Sequence, residues 1–234
     1  MTALQINRIR VLGALALSVA CAPGANSGQS AESTTVARAE TTRVVGRPAP
    51  MDSNLTRADL ARIQGSATAP VWVIEVSDFQ CPYCKQWHEQ TYAAFRDQLV
   101  KTGKVRLAYV NFPLESHAHA WPAAESAMCA GAQGKFWPMH DALFTTQARW
   151  QSLATPTPVF DSLAQANGLD MQRWRECVQS GKMKPLIEAD RDRASRAGVS
   201  ATPSFIIGDK LLLGAQPIED LRRAVDSALV KSKK

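Results

Sequence analysis

Apolar and polar positions form a β-α-β pattern between residues 71 and 112. The run Val71–Val76 (VWVIEV) is almost continuously apolar, as in a central buried strand, and Glu75 is its one charged residue. Val105–Phe112 predicts a second strand. Between them, apolar side chains recur every three or four residues from Cys84 to Leu99, as on one face of a helix. The pattern therefore predicts two parallel strands joined by a right-handed helical crossover.

A helical segment separates this unit from a second group of strands. Residues 117–198 show no strand pattern and favour a series of helices. Strands return at Phe205–Ile207 and Leu211–Leu213, on either side of the turn signal at residues 208–210, and an amphipathic helix follows. We therefore predict an α/β fold in which one sheet domain, residues 53–116 and 199–232, carries an inserted helical subdomain, residues 117–198.

The first twenty residues have the features of an export signal. Arg8 and Arg10 precede an apolar run, residues 11–20, that is too short to span a bilayer as a mature helix. Cys21 follows, and residues 17–21 resemble a relaxed bacterial lipobox, with serine where leucine is commonest. We expect a lipoprotein signal peptide at residues 1–20, with Cys21 lipidated, and a flexible tether at residues 21–52 rich in small and polar residues. Plain secretion and an uncleaved anchor remain alternatives, and all three place the domain outside the cytoplasm.

Composition narrows the class of protein. The chain has 234 residues, of which 45% are hydrophobic, and this excludes a disordered chain. Five cysteines are too few for a disulfide-packed mini-protein. The formal net charge is +6, but the basic residues are scattered rather than clustered. We therefore expect no nucleic-acid partner.

The chemistry of the chain centres on Cys81-Pro82-Tyr83-Cys84, which follows the first strand and opens the next helix. Unpaired N–H groups at a helix N-terminus favour an anion, so we expect Cys81 to be a nucleophilic thiolate and Cys84 to resolve mixed disulfides. Pro82 fits the first helical turn because its missing N–H would be unpaired there anyway. A structural zinc site would need a second cysteine pair at close spacing, and none exists. A purely structural disulfide remains open, although so short a loop gains little from it.

The segment around this pair resembles the active site of the DsbA-like branch of the thioredoxin superfamily. The likeness extends from about residue 65 to residue 230 and implies a thioredoxin-like fold with an inserted helical domain. The stretches that carry it are Glu75–Cys84, Phe112–Leu114 with His117, Gly134–Trp137 with His140 and Asp141, and Gly198–Phe205.

The resemblance implies roles for residues outside the cysteine pair. Thr202-Pro203 matches a loop that ends in a cis-proline facing the cysteines and leaves backbone groups free to pair with a substrate strand. Glu75 matches a buried acid that exchanges a proton with Cys84, and a solvated edge-strand glutamate is the alternative. Phe79, Tyr83 and Trp87 are expected to form an apolar rim for client chains, although core packing is an alternative for Trp87.

The implied activity is that of an exported thiol–disulfide oxidoreductase that forms disulfides in secreted or envelope proteins. It needs no cofactor beyond the Cys81–Cys84 disulfide and no metal. Its partners would be reduced or misfolded exported proteins, a membrane redox partner and, through the lipid anchor, the periplasmic or cell-envelope membrane. Tyr83 stands where the strongest oxidants of this branch have histidine, so the reverse direction, a reductase or isomerase kept reduced by a membrane donor, stays open. A lipoprotein binding module with an unreactive cysteine pair is a further alternative.

The remaining cysteines, Cys129 and Cys177, lie 48 residues apart in predicted helices of the insertion. Some relatives of the DsbA-like branch carry a second, structural bridge in this region, and four cysteines beyond Cys21 make the pairing even. We expect a structural disulfide between them, with two buried free thiols as the alternative.

Overall fold

The computed structural model describes residues 52–231. The expected signal peptide, the lipidation of Cys21 and nearly all of the tether lie outside this range. Within the part of the chain that the structure describes, no helix is both long enough and apolar enough to cross a membrane.

A five-stranded mixed sheet forms the centre of the described region. Its strands are β1 (Ile63–Gln64), β2 (Val71–Ser77), β3 (Val105–Asn111), β4 (Ser204–Ile207) and β5 (Lys210–Leu213), in the spatial order β1-β3-β2-β4-β5. Strands β2 and β3 are parallel, and the other neighbours are antiparallel. The apolar run at β2 therefore occupies the middle of the sheet, where both of its edges are paired, as its composition predicted.

Helix α2, residues 82–100, is the crossover between β2 and β3. It is α-helical at Pro82–Trp87 and Ala93–Phe95 and π-helical at His88–Tyr92 and Arg96–Val100. It covers one face of the sheet together with α9 (Ile218–Lys231), where Val73 and Phe205 pack against Phe95 and Leu221. Burial of this apolar face holds the two helices on the sheet.

The segment between β3 and β4 is helical. It contains α3 (Ala120–Gly131), α4 (Phe136–Thr145), α5 (Gln147–Trp150), α6 (Thr157–Ala166), α7 (Met171–Ser180) and α8 (Lys184–Arg196). Asp170 caps α7 by accepting hydrogen bonds from the N–H groups of Gln172 and Arg173, and Gly181 ends it with a left-handed φ of 62°. The α/β fold with a helical insertion is thus confirmed.

The helical segment and the sheet share one core. Phe79, in the turn after β2, and Tyr109 of β3 lie in the same buried cluster as Phe136, Phe144 and Trp150. The cluster places the helical segment directly beside the end of β2 that carries Cys81 and Cys84. A disulfide joins Cys129 on α3 to Cys177 on α7, so the alternative of two free thiols does not hold in the structure.

The sequence pattern missed two elements at the start of the described region. Helix α1 (Ser53–Ala61) buries only Ala58 completely, and β1 has two residues, so neither has enough buried positions to produce a periodicity. Helix α1 packs on α3, where a side chain on Gly131 would lie 3.4 Å from the Cα of Ala58. The division into residues 53–116 with 199–232 and residues 117–198 stays a prediction, and α1 contacts the helical part.

Candidate active site

Cys81 occupies the position immediately before helix α2. Its backbone is extended (φ −68°, ψ 126°) and its N–H donates to the carbonyl oxygen of Asp78 at 3.1 Å, which closes a turn after β2. Pro82, with a φ fixed near the helical value, starts the helix without losing a hydrogen bond. The sulfur therefore lies where the unpaired N–H groups of the first helical turn point.

The pKa of the Cys81 thiol is lowered from its ordinary value of 9.0 to about 6. The largest cause is the hydrogen bond that the Cys84 thiol donates to the Cys81 sulfur. Burial opposes this effect, while the Thr202 side chain and the N–H groups of Cys84 and Tyr83 stabilise the anion further. Cys81 is therefore largely a thiolate at neutral pH.

Cys84 has the opposite character. Burial, followed by its interaction with Cys81, raises the pKa of its thiol well above the ordinary value. The N–H of Asp78 donates to its sulfur at 3.5 Å. Both cysteines are free thiols in the structure. The pair thus contains one good leaving group and one thiol that holds its proton, which suits stepwise thiol–disulfide exchange.

The loop before β4 lies against Cys81. The peptide bond Thr202–Pro203 is cis. The Cys81 sulfur lies 3.4 Å from the carbonyl oxygen of Thr202, which accepts a hydrogen bond from the thiol when Cys81 is protonated, across 121 residues of sequence. The structure thus brings the two distant motifs named from the sequence into contact.

Glu75 is buried in the middle of β2, between β3 and β4. The alternative of a solvated edge-strand glutamate is therefore wrong. Burial is the main cause that raises its pKa from 4.5 to about 8, with a further increase from the negative charge of Asp141 and a decrease from a hydrogen bond with Ser77. At neutral pH the carboxyl is mostly protonated, so it can give a proton to, or accept one from, a neighbouring group.

The expected apolar rim around the cysteines is only partly present. Tyr83 is 62% exposed, but Phe79 and Trp87 are each 1% exposed. Phe79 stacks on Tyr109 with ring centroids 5.0 Å apart, and Trp87 contacts Phe205 at 4.8 Å. The rim interpretation is therefore wrong for Phe79 and Trp87, because the chain turns inward after β2 and α2 lays its inner face on the sheet.

Cys81 is also less accessible than a reactive thiol at a helix start would suggest. Only 3% of the residue is exposed, because the Thr202 carbonyl and the first turn of α2 cover it. Pro82 and Tyr83 are the exposed residues beside it. A client thiol must therefore approach past these two side chains.

Asp78, to which the sequence pattern assigned no role, holds the active-site loop in place. The buried carboxylate of Asp78 accepts hydrogen bonds from the N–H groups of Gln80 (2.7 Å) and Leu114 (3.0 Å) and from Nδ1 of His117 (2.7 Å). An aspartate two residues before the N–H that it binds is a common turn signal, and it identifies at least the Gln80 contact.

Gln147 of α5 connects the helical segment to the same loop. Its buried side-chain amide donates to the carbonyl oxygens of Phe79 (2.7 Å) and Cys81 (3.1 Å). Nothing in the local sequence marks Gln147, because its partners lie 66 and 68 residues away. The helical segment thus fixes the backbone on which Cys81 is placed.

One group of histidine and aspartate side chains in the described region lies close together, namely His88, His140 and Asp141, with ligand-type atoms within 4.8 Å of one another. Both imidazoles contact Oδ1 of Asp141, at 3.2 and 2.8 Å. The second nitrogen of each imidazole is buried without a hydrogen-bond partner. Metal-bound histidines almost always donate from that nitrogen, so the donor set fits a hydrogen-bond cluster better than a metal centre.

Comparison with known proteins places this geometry in a family. The family described as Thioredoxin matches residues 58–227, which include both cysteines, Glu75 and the Thr202–Pro203 loop. The chain belongs to the Thioredoxin family. Within it, the chain is similar to "Probable disulfide bond formation protein D" of Bacillus anthracis, with 26% identity over 71% of this chain and 77% of the relative. The crystal structure of Wolbachia pipientis alpha-DsbA1 has the same fold, with a TM-score of 0.65 and 22% identity over 73% of this chain and 92% of that one.

A more similar relative of this Thioredoxin-family chain is a much longer protein. The "Na(+)/H(+) antiporter NhaA 1" of Salinispora arenicola is 36% identical over 171 residues, which are 73% of this chain but only 25% of the antiporter. The chain therefore corresponds to about a quarter of that protein, and the likeness is confined to the matched part.

Proposed function

We propose that the chain is an exported thiol–disulfide oxidoreductase that forms disulfides in secreted or envelope proteins through Cys81 and Cys84. The observation that carries the proposal is the opposite displacement of the two thiol pKa values, with Cys81 near 6 and Cys84 well above the ordinary value. The names of its thiol–disulfide relatives support the same chemistry.

The proposed reaction starts from the Cys81–Cys84 disulfide. A client thiolate attacks the Cys81 sulfur, the bond between the two enzyme sulfurs breaks, and Cys84 leaves as a thiolate that takes a proton from Glu75. The second client thiolate then attacks the client sulfur of the mixed disulfide and expels Cys81, whose low pKa makes it a good leaving group. The client loses two electrons and gains a disulfide, and the enzyme becomes the dithiol. A membrane redox partner would restore the enzyme disulfide.

Binding of the client would use the backbone beside the cysteines. Residues 201–203 lie outside the sheet, immediately before β4, and the Thr202 carbonyl already contacts the Cys81 sulfur. An extended client segment placed along this loop would bring its cysteine to Cys81 by backbone pairing, which requires no particular client sequence. Exposed Tyr83 offers an apolar contact at the same place.

The same site also supports the opposite direction. A Cys81 pKa of about 6 is nearer to the value of about 7 known for thioredoxin, a reductant, than to about 3.5 for DsbA, a strong oxidant. Weaker stabilisation of the thiolate makes the disulfide less oxidising. A reductase or isomerase kept reduced by a membrane donor is therefore the second candidate.

Activity and direction are tested separately. Oxidised protein should oxidise a dithiol peptide, and Cys81→Ser should abolish this. Reduced Cys84→Ser, given glutathione disulfide as oxidant, should accumulate a mixed disulfide through Cys81. Cys21→Ser, which removes only the proposed lipid anchor, is the matched control and should oxidise the peptide normally. Oxidation that persists in Cys81→Ser would refute the proposal. In cells, alkylation with a mass tag should find the pair mostly oxidised for an oxidase and mostly reduced for a reductase.

Export and anchoring need their own measurement. Cells labelled with a clickable palmitate should show labelled protein in the membrane fraction, and Cys21→Ser should lose the label. Unlabelled protein released outside the cytoplasm would favour plain secretion, and unlabelled protein that retains residues 1–20 would favour an uncleaved anchor.

A further inference from the structure

Several buried polar atoms without a partner lie together beneath the cysteine pair. They include Oε2 of Glu75, the hydroxyl of Tyr109 and Nε2 of His140. Glu75 and Tyr109 are opposite each other in the register of β2 and β3, and the rings of Tyr109 and His140 have centroids 5.3 Å apart. Buried polar groups are nearly always hydrogen-bonded, so this concentration calls for a chemical rather than a packing explanation.

Asp141 determines which nitrogen of His140 carries the proton. Nδ1 of His140 lies 2.8 Å from Oδ1 of Asp141. An ionised carboxylate only accepts hydrogen bonds, so Nδ1 is the donor and Nε2 of the neutral ring has a free lone pair. Burial lowers the pKa of His140 to about 4, which keeps the ring neutral at physiological pH. The unpartnered Nε2 is therefore a proton acceptor inside the core.

The same two residues connect the core to solvent. His140 is fully buried, whereas the side chain of Asp141 is 41% exposed. His88, which belongs to helix α2, also contacts this carboxylate, with its Nε2 3.2 Å from Oδ1 of Asp141. The titratable groups that contact His140 are Tyr109 from β3, His88 and Tyr92 from α2, and Asp141 from its own helix. Glu75 of β2 interacts electrostatically with Asp141.

We propose that His140 and Asp141 carry the proton between the buried carboxyl of Glu75 and solvent during each redox cycle. The inference rests on the proposed function. A neutral Glu75 cannot accept the Cys84 proton until its own proton has left. That proton reaches Nε2 of His140 by way of the Tyr109 hydroxyl, since Tyr109 lies opposite Glu75 on β3 and its ring packs on His140. The Nδ1 proton of His140 then passes to Asp141 and on to water. The resulting Glu75 carboxylate is then available to Cys84.

The redox step that uses this route is the re-oxidation of the enzyme by a disulfide. Cys81 thiolate attacks the oxidant disulfide, a mixed disulfide forms and one thiolate leaves. Glu75 takes the Cys84 proton, the Cys84 sulfur attacks the Cys81 sulfur, and the second oxidant thiolate leaves. The enzyme loses two electrons to the oxidant. When a client later reduces the enzyme, Cys84 needs a proton. The proton then moves from solvent through Asp141, His140 and Tyr109 to Glu75, which restores the original tautomer of His140.

The test follows both steps with glutathione disulfide as oxidant. Reduced protein is mixed with it in a rapid-mixing instrument, and release of the first and the second glutathione thiol is measured across the pH range. His140→Phe keeps the aromatic packing but removes both nitrogens. It should leave the first release unchanged and slow the second at least tenfold at neutral pH. The slow phase should recover toward pH 9, where hydroxide removes the Cys84 proton directly.

A second variant and a control separate the relay from a packing defect. Asp141→Asn, at a partly exposed position, should give the same pH-dependent loss in the second release. Phe144→Leu is the control, because it loosens the packing on the His140 ring, whose centroid lies 5.0 Å from that of Phe144, without removing a polar atom. It should keep the second release within about twofold of the unaltered protein.

The outcomes distinguish this inference from the proposed function. If the unaltered protein shows no first release, the oxidoreductase proposal itself fails. If the first release is normal and the second is unchanged in both His140→Phe and Asp141→Asn, the relay alone is overturned. Titration of the oxidised protein with Zn²⁺ gives a further check. Stoichiometric binding that His140→Phe abolishes would make the cluster a metal site and would also overturn the relay.

Discussion

The buried carboxyl of Glu75 should make the stability of the protein depend on pH in a defined way. Its pKa is about 8 in the folded chain and 4.5 in the unfolded chain, so the folded state binds one more proton between those values. The free energy of unfolding then falls as pH rises, by up to about 1.36 kcal/mol per pH unit. The stabilisation is fully present below pH 4.5 and is lost by pH 8. Between about pH 5 and pH 7.5 the loss is about 3 kcal/mol.

Glu75→Gln should remove this loss, because glutamine stays neutral at every pH. The assay is urea unfolding of the oxidised protein at a series of pH values, so that Cys81 and Cys84 do not titrate. Every other ionisable group is the same in both proteins, so its contribution cancels in the difference. We expect the variant to gain about 3 kcal/mol relative to the unaltered protein on going from pH 5 to pH 7.5. Parallel profiles would refute the burial argument. Glu115→Gln, which removes an 85% exposed carboxylate, is the control and should change nothing.

Three further expectations follow from the site and the fold. Iodoacetamide should modify Cys81 of the reduced protein with a midpoint near pH 6, and an ordinary midpoint near 9 would contradict the thiolate assignment. Replacing Cys129 and Cys177 with serine should lower the free energy of unfolding by about 4 kcal/mol, the chain-entropy value for a 48-residue loop, and should leave dithiol oxidation intact. Urea unfolding that is unchanged in this variant would exclude the bridge. Gln147→Leu should lower the free energy of unfolding by about 2 kcal/mol, because it leaves two buried carbonyl groups without a hydrogen bond. An equal loss of stability in Gln151→Leu, at an exposed position, would point instead to an effect of leucine on the helix.

The sheet and its cysteine pair were predictable because local pattern and local chemistry coincide there. A continuous apolar run such as that of β2 is typical of a central strand with neighbours on both sides, and Pro82 marks the start of a helix. Both features are contained in a window of about fourteen residues. The position of Cys81 before α2 follows from that window alone.

The supporting residues were not predictable in the same way. Gln147 and Asp141 contact groups that are more than fifty residues away, and a single sequence contains no periodicity that connects them. The misassignment of Phe79 has a related cause. An aromatic residue next to a reactive cysteine suggests a client surface, but the helical segment packs onto that end of the sheet and buries the ring against Tyr109 and Phe144. Long-range packing, rather than local pattern, decides which face is exposed.

Asp190 and Glu75 are two of the buried carboxyl groups in the described core, and the contrast between them separates structure from chemistry. Asp190 forms ion pairs with Arg62 and Arg193 and accepts hydrogen bonds from the backbone N–H and side-chain amide of Asn111, so its charge is compensated. Glu75 has no ion pair in the described region, and its Oε2 lacks a partner. A fold selected only for stability would replace such a residue, because a neutral side chain avoids its desolvation. The destabilisation is found where Cys84 needs a proton acceptor, which is the pattern expected when a protein retains an unfavourable residue for its reaction.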